Sequence, residues 1–157
     1  MKYSVTTYPE RYFIGIELDN GFALGENDRI GQLWDSFLKE DIQLLPHDQL
    51  LTKFIGLECY PPDFMETKRF DYFALVQTTT LMKQNGFVSK KLPAGQYISF
   101  EIAFDDVSTQ IHKCYQYLAE NNIKVHMGFD FEDYLEGQDY QRDGAILHFT
   151  LLLDDHE

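Results

Sequence analysis

Between Tyr12 and Leu18 bulky residues alternate with smaller ones, the period-two signature of a strand, and the run stops at the turn sequence Asp19-Asn20-Gly21. The period then changes. Ile30, Leu33, Trp34, Phe37 and Leu38 recur three or four residues apart, which predicts one apolar stripe along an α-helix capped by Asn27 or Asp28. Leu44 to Leu51 reads as a loop or short helical turn, Lys53 to Tyr60 as a strand ended by Pro61-Pro62, and Asp71 to Thr80 as an aromatic-rich strand.

Past Asn85-Gly86 the same programme runs again. Pro93-Ala94-Gly95 is a turn; Gln96 to Phe104 then sets Ile98, Phe100, Ile102 and Phe104 against Tyr97, Ser99, Glu101 and Ala103 on opposite faces. Asp105 or Asp106 caps a helix whose stripe is Val107, Ile111, Cys114, Tyr115 and Leu118, ending at Asn121-Asn122. Val125 to Tyr134 and Gly144 to Leu153 read as the closing strands.

Strand, helix, strand, strand therefore occurs twice. Ile55-Gly56-Leu57-Glu58 matches Met127-Gly128-Phe129-Asp130 at an offset of 72, where Asp71 also meets Asp143 and Leu75 meets Leu147. The expectation is an α+β chain forming a single domain over 1–157, built from duplicated β-α-β-β halves of about 1–86 and 87–157. Joined edge to edge, the halves make one antiparallel sheet with helices on one face and a ligand cleft on the other.

Composition narrows what such a cleft holds. Thirteen basic residues stand against 26 acidic ones, a net charge of −13, so nucleic acid and anionic membrane surfaces are excluded as direct partners and cations are favoured. Thirteen Phe could fill a core, but ten Tyr need half-wet places for their hydroxyls. The start of the chain lacks the apolar core of a signal peptide, and Cys59 and Cys114 form no paired motif, so a reduced cytoplasmic location is expected.

Strand parity names the lining. With Phe129 and Phe131 turned to the helices, Asp130, Glu132 and Tyr134 face the open side, and the repeat adds Glu58 and Tyr60. Tyr72 corresponds to Gly144 by the offset, and so small a residue would leave room in front of the ring. The expected ligand-binding set is thus Glu58, Tyr60, Tyr72, Glu132 and Tyr134, with Trp34 from the first helix. Carboxylates among rings suit lipophilic cations, because rings attract cations and a desolvated carboxylate is costly until a positive charge arrives.

Several segments resemble one family, the GyrI-like effector-binding domains, found alone or fused to AraC-type and MerR-type regulators. They are Ile30-Gly31-Gln32-Leu33-Trp34-Asp35-Ser36-Phe37, Phe70-Asp71-Tyr72-Phe73-Ala74, Leu92-Pro93-Ala94-Gly95-Gln96-Tyr97 and Phe131-Glu132-Asp133-Tyr134, and the likeness spans nearly the whole chain. The resemblance, which is to stand-alone multidrug-binding members, implies a concave cleft for drugs or dyes. It makes Glu132 the central acid, and Trp34 and Tyr72 lining residues. Many relatives carry a Trp in the second helix where this chain has Cys114-Tyr115. No space remains for a helix-turn-helix, so direct DNA reading is not expected.

Two alternatives use the same residues. Some relatives are hydrolases of cyclopropane-containing genotoxins, in which case Glu132 would activate water; otherwise no catalytic residue is expected. An acidic protein-interaction module that inhibits an enzyme is the other. His47, His112, His126, His148 and His156 have no metal-ligand spacing, no Gly-rich phosphate loop is present, and neither metal nor cofactor is expected.

Overall fold

The computed structural model describes residues 1–23 and 27–154, the side chains of Asn27 and Asp28 excepted. The expected cap of the first helix therefore lies outside the described residues. The strands are β1 (Tyr3–Tyr8), β2 (Arg11–Glu17), β3 (Phe22–Ala23), β4 (Leu50–Cys59), β5 (Arg69–Thr78), β6 (Val88–Leu92), β7 (Gly95–Ala103), β8 (Phe129–Tyr134) and β9 (Ile146–Leu152). The helices are α1 (Asn27–Lys39), the single turn α2 (Phe64–Thr67) and α3 (Val107–Glu120). This is the α+β class expected, with all strand pairs antiparallel in one nine-stranded sheet.

The two predicted units are β2-α1-β4-β5 and β7-α3-β8-β9, each preceded by a strand the sequence did not announce. Those leading strands are exchanged. The sheet order is β1-β7-β9-β8-β4-β5-β2-β6, so β1 adds to β7 of the later unit and β6 adds to β2 of the earlier one. Six strand spacings separate β1 from β2, about 29 Å across a flat sheet. Only Pro9 and Glu10 join them, and such a link reaches about 10 Å. Pro93 and Ala94 impose the same constraint between β6 and β7. The sheet must curl until its ends meet.

The curl encloses an apolar core of Phe13, Ile55, Leu57, Phe73, Leu75, Leu92, Tyr97 and Phe131 on the face away from the helices. At the crossing of the ends Arg11, 7% exposed, lays its guanidinium 3.7 Å from the centre of the Tyr8 ring and 5.3 Å from that of Tyr97. The opposite face carries the helices. Phe37 of α1 is buried with Ile14, Ala74 and Val76, while Cys114 and Leu118 of α3 pack with Ile98, Phe100, Leu147 and Phe149.

Three expectations need correction. Val125 makes only an isolated bridge to Leu153, and the strand begins at Phe129. Asp106 does occupy the N-cap position of α3, but its side chain makes no capping bond, and with Asp105 it closes a 3-10 turn leading into the helix. The offset of 72 relates β4 to β8 but does not reach β9: Cys59 pairs with Asp71, whereas its counterpart Phe131 pairs with Thr150. Asp71 therefore corresponds to Thr150 rather than Asp143, because the connection between β8 and β9 is longer than that between β4 and β5.

Candidate functional site

β4 and β8 lie side by side at the centre of the sheet, with Phe54 opposite Tyr134, Gly56 opposite Glu132 and Glu58 opposite Asp130. Cross-strand partners share a face, so these six positions form one patch. Both helices cover it. Trp34 of α1 donates from Nε1 to the Tyr72 hydroxyl at 2.9 Å and meets the Tyr134 ring edge-on at 5.2 Å between centroids. Tyr115 of α3 donates its hydroxyl to Asp130 Oδ2.

The cleft expected on the face opposite the helices is thus on the same face as them. The alternation along β8 matches the expectation with its sides exchanged: Phe129 and Phe131 pack into the core of the curled sheet. Between α1 and α3 opens a cavity of about 1870 Å³, roughly twice the upper end of ordinary ligand pockets. Its walls include Ile30, Trp34 and Leu38 from α1 and Val107, Ile111 and Tyr115 from α3; Phe54, Glu58, Glu132 and Tyr134 form its floor. Leu38 is 46% exposed because it faces this space. Tyr60, Phe64 and Phe70 stack on one another at one end, with centroids 5.0 to 6.2 Å apart.

Five of the six expected residues line the cavity: Trp34, Glu58, Tyr60, Glu132 and Tyr134. Tyr72 does not. Its ring is fully buried, and Gly144 lies in an exposed turn outside β9 instead of clearing a space. Tyr72 reaches over β4 and donates to Glu132 Oε1 at 3.3 Å. Gly56 makes that reach possible, since a Cβ there would stand 2.3 Å from the Tyr72 hydroxyl and 3.2 Å from Glu132 Oε1. Trp34, Tyr72 and Glu132 are thereby one hydrogen-bonded chain from helix wall to sheet floor.

A second chain runs beside it. The Tyr60 hydroxyl is 3.0 Å from Glu58 Oε2 and 2.8 Å from Asp130 Oδ2. Asp130 is fully buried, while Glu58 and Glu132 are 6% and 7% exposed. Among the described residues the ion pairs are Lys2–Glu101, Lys53–Asp133 and Arg142–Asp139, none of which involves this trio. Lys68 and His112, both exposed, are the basic residues at the cavity lining.

Three carboxyl groups out of water and close together resist ionising. Burial, then the neighbouring Asp130 charge and Glu132, hold the Glu58 carboxyl well above the usual range. Burial raises Asp130 too, opposed by its hydrogen bonds with Glu58, Tyr115 and Tyr60. Glu132 is pushed up to about 7, chiefly by burial, with a hydrogen bond from Glu58 opposing. The phenols of Tyr60, Tyr72, Tyr115 and Tyr134 are raised by burial and remain donors.

Neither cysteine is poised as a nucleophile. Cys114 is buried under α3 with its thiol pushed up to about 12 by burial, and Cys59 packs on the far face of the sheet, also raised by burial. His148 pairs with Asp133, so it too points away from the cavity. No group of His, Cys, Asp and Glu among the described residues could hold a metal ion. No helix among them is long and apolar enough to cross a membrane.

Asp130, though expected on the open face, was not in the expected ligand-binding set, and neither were Tyr115 and Gly56. Asp130 was recoverable, because the repeat aligns it with Glu58 and parity puts it on the face of Glu132. Tyr115 lies on the predicted stripe of α3, where core and cavity look alike.

Comparisons with known proteins complete the picture. A family model described as Cass2, integron-associated effector binding protein, matches residues 5–148. SAV2435 bound to tetraphenylphosphonium has a similar structure, with a TM-score of 0.75 at 16% identity over 99% of this chain and 95% of that one. The integron cassette protein VCH_CASS2 from the mobile metagenome of Vibrio cholerae gives a TM-score of 0.65 at 18% identity, over 97% and 95%. A hydrolase from Listeria innocua gives 0.56 at 8% identity, over 98% and 92%. At such identities the shared property is the fold. No curated protein sequence matches the chain.

Proposed function

The chain belongs to the Cass2 family of GyrI-like, integron-associated effector binding proteins, and from that premise we propose that its cavity binds lipophilic cations, drug- or dye-like in size. The observation that carries the reading is the trio of Glu58, Asp130 and Glu132, buried beneath an aromatic cavity with no cationic side chain paired to it among the described residues.

A cation entering beside Trp34 and Tyr134 gains about 0.5–2 kcal/mol per ring face. It also relieves a carboxylate whose burial costs several kcal/mol while it has no counter-charge. Flat apolar walls do not dictate shape, so the site selects for charge and tolerates many outlines. That SAV2435 is bound to tetraphenylphosphonium makes this ion a suitable probe.

Trp34 is the single tryptophan of the chain and lines the cavity, so its fluorescence reports occupancy. Tetraphenylphosphonium should quench it with a Kd on the order of micromolar, about −8 kcal/mol. Triphenylphosphine oxide, neutral and of similar bulk, should bind at least tenfold more weakly. Equal affinity for the two would show that charge is not what the cavity reads, and the proposal would fail.

One observation favours a second reading. A carboxyl titrating near 7, as at Glu132, suits a general base at neutral pH, and the fold is shared with a hydrolase. Incubation with an electrophilic cyclopropane compound would then yield a product heavier by one water. A rate equal to that of buffer, or one unchanged in Glu132→Gln, removes this reading and leaves binding intact.

A further inference from the structure

Counting the hydrogens around Tyr60 leads to a stored proton. The phenol has one hydrogen, yet its oxygen lies within hydrogen-bond distance of two carboxyl oxygens, Glu58 Oε2 at 3.0 Å and Asp130 Oδ2 at 2.8 Å. Both contacts are satisfied only if one carboxyl is itself a donor. Asp130 Oδ2 already accepts from Tyr115 as well, which marks Asp130 as the carboxylate and Glu58 as the acid. The other oxygen, Asp130 Oδ1, is buried with no partner. A fully buried carboxylate oxygen left bare is costly, so the Asp130 charge is already poorly compensated and a second charge on Glu58, directly across the strand pair, would add to that cost.

We propose that Glu58 carries a proton in the empty cavity and surrenders it when a cation is bound, so that the site exchanges a proton for its ligand. This rests on the cation-binding reading above and names how that site is regulated. The groups facing Glu58 are Asp130 and Glu132 from β8, Tyr60 just past the end of β4, Tyr72 across from Glu58 on β5, and Tyr115 from α3. Asp35, Lys68, Asp105, Asp106, His112 and Glu136 stand at the cavity lining. Glu58 and the two acids facing it would bear one sign when ionised, and charges on Asp130 and Glu132 repel a third. A bound cation cancels part of that repulsion, the Glu58 O–H bond breaks, and the proton passes to buffer. The upward displacement of Glu58 by burial and Asp130 agrees in direction.

Ligand-free protein near pH 8 should show the infrared carbonyl band of a protonated carboxylic acid, and Glu58→Gln should lack it. The amide keeps an N–H donor toward Tyr60 and Asp130, so the variant preserves the bonding of the acid form. Calorimetry with tetraphenylphosphonium near pH 8, in phosphate and in Tris, then counts protons from the difference in heats. About one proton should leave per cation bound, affinity should change about tenfold per pH unit, and Glu58→Gln should bind with almost no release. An absent carboxylic acid band overturns the proposal whether or not any ligand binds. Binding without proton release also overturns it while leaving the cation reading standing. No binding, with the band present, removes the exchange and the cation reading but keeps the stored proton.

Discussion

Replacing Glu132 with Gln should move stability and binding in opposite directions. The carboxyl titrates at about 7 in the native state against 4.5 for the free side chain. The native state therefore binds this proton more tightly than the unfolded one. Its stabilisation is complete below pH 4.5 and is lost as pH rises through about 7. The displacement is worth about 3 kcal/mol, an order of magnitude that Glu58 and Asp130 share because the three titrate together. Gln has nearly the same shape, still accepts from Tyr72, and cannot ionise. Near pH 5 the variant should match the parent; near pH 8.5 it should be more stable by up to about 3 kcal/mol, about 6–12 °C in Tm for a chain of this length. Tetraphenylphosphonium affinity near pH 8.5 should fall at least tenfold. Urea denaturation at the two pH values, followed by far-ultraviolet circular dichroism, is the assay. A loss of stability near pH 8.5 would mean the charged Glu132 is well solvated or paired, and the reasoning about a carboxylate awaiting its counter-ion would be refuted.

Other substitutions probe the scaffold of the site. Gly56→Ala forces a methyl group to within 2.3 Å of the Tyr72 hydroxyl and should cost about 1–3 kcal/mol in denaturant unfolding while weakening cation binding; an unchanged midpoint would show that Tyr72 has other places to go. Trp34→Phe removes the donor to Tyr72 and should cost about 1 kcal/mol in the same measurement, with binding followed by calorimetry since the fluorophore is gone. Arg11→Met replaces a guanidinium whose buried Nε and Nη2 have no hydrogen-bond partner, so stability should stay level or rise. A loss above about 2 kcal/mol would assign the stacking on Tyr8 and Tyr97 a larger share than the desolvation it offsets.

Local periodicity was enough to find α1, α3 and the strands flanking them, since each buries one stripe or one face. It said nothing of which face. Both faces of β4 and β8 are covered, one by the curled sheet and one by the helices, so an alternation of Phe and acid fits either orientation. β1 was invisible for a related reason: the Tyr3–Tyr8 strand is exposed along almost its entire length, and its pairing with β7 spans about ninety residues of chain. Parity, a local property, was enough to put Glu132, Glu58 and Tyr60 on one face, and the cavity opens on that face. Tyr72 was misplaced because the longer turn before β9 breaks the repeat, and no local pattern records that.

The traded strands have a mechanical consequence. α1 and α3, the two jaws of the cavity, stand on opposite sides of the β4–β8 seam, and a hinge there would be the simplest way to admit a bulky guest. Each side, however, holds the other's outermost strand through a two-residue strap, so prying the seam apart would strip β1 from β7 and β6 from β2 together. Guests of different size must be met by rotating rings and shifting helix ends inside a frame of constant width.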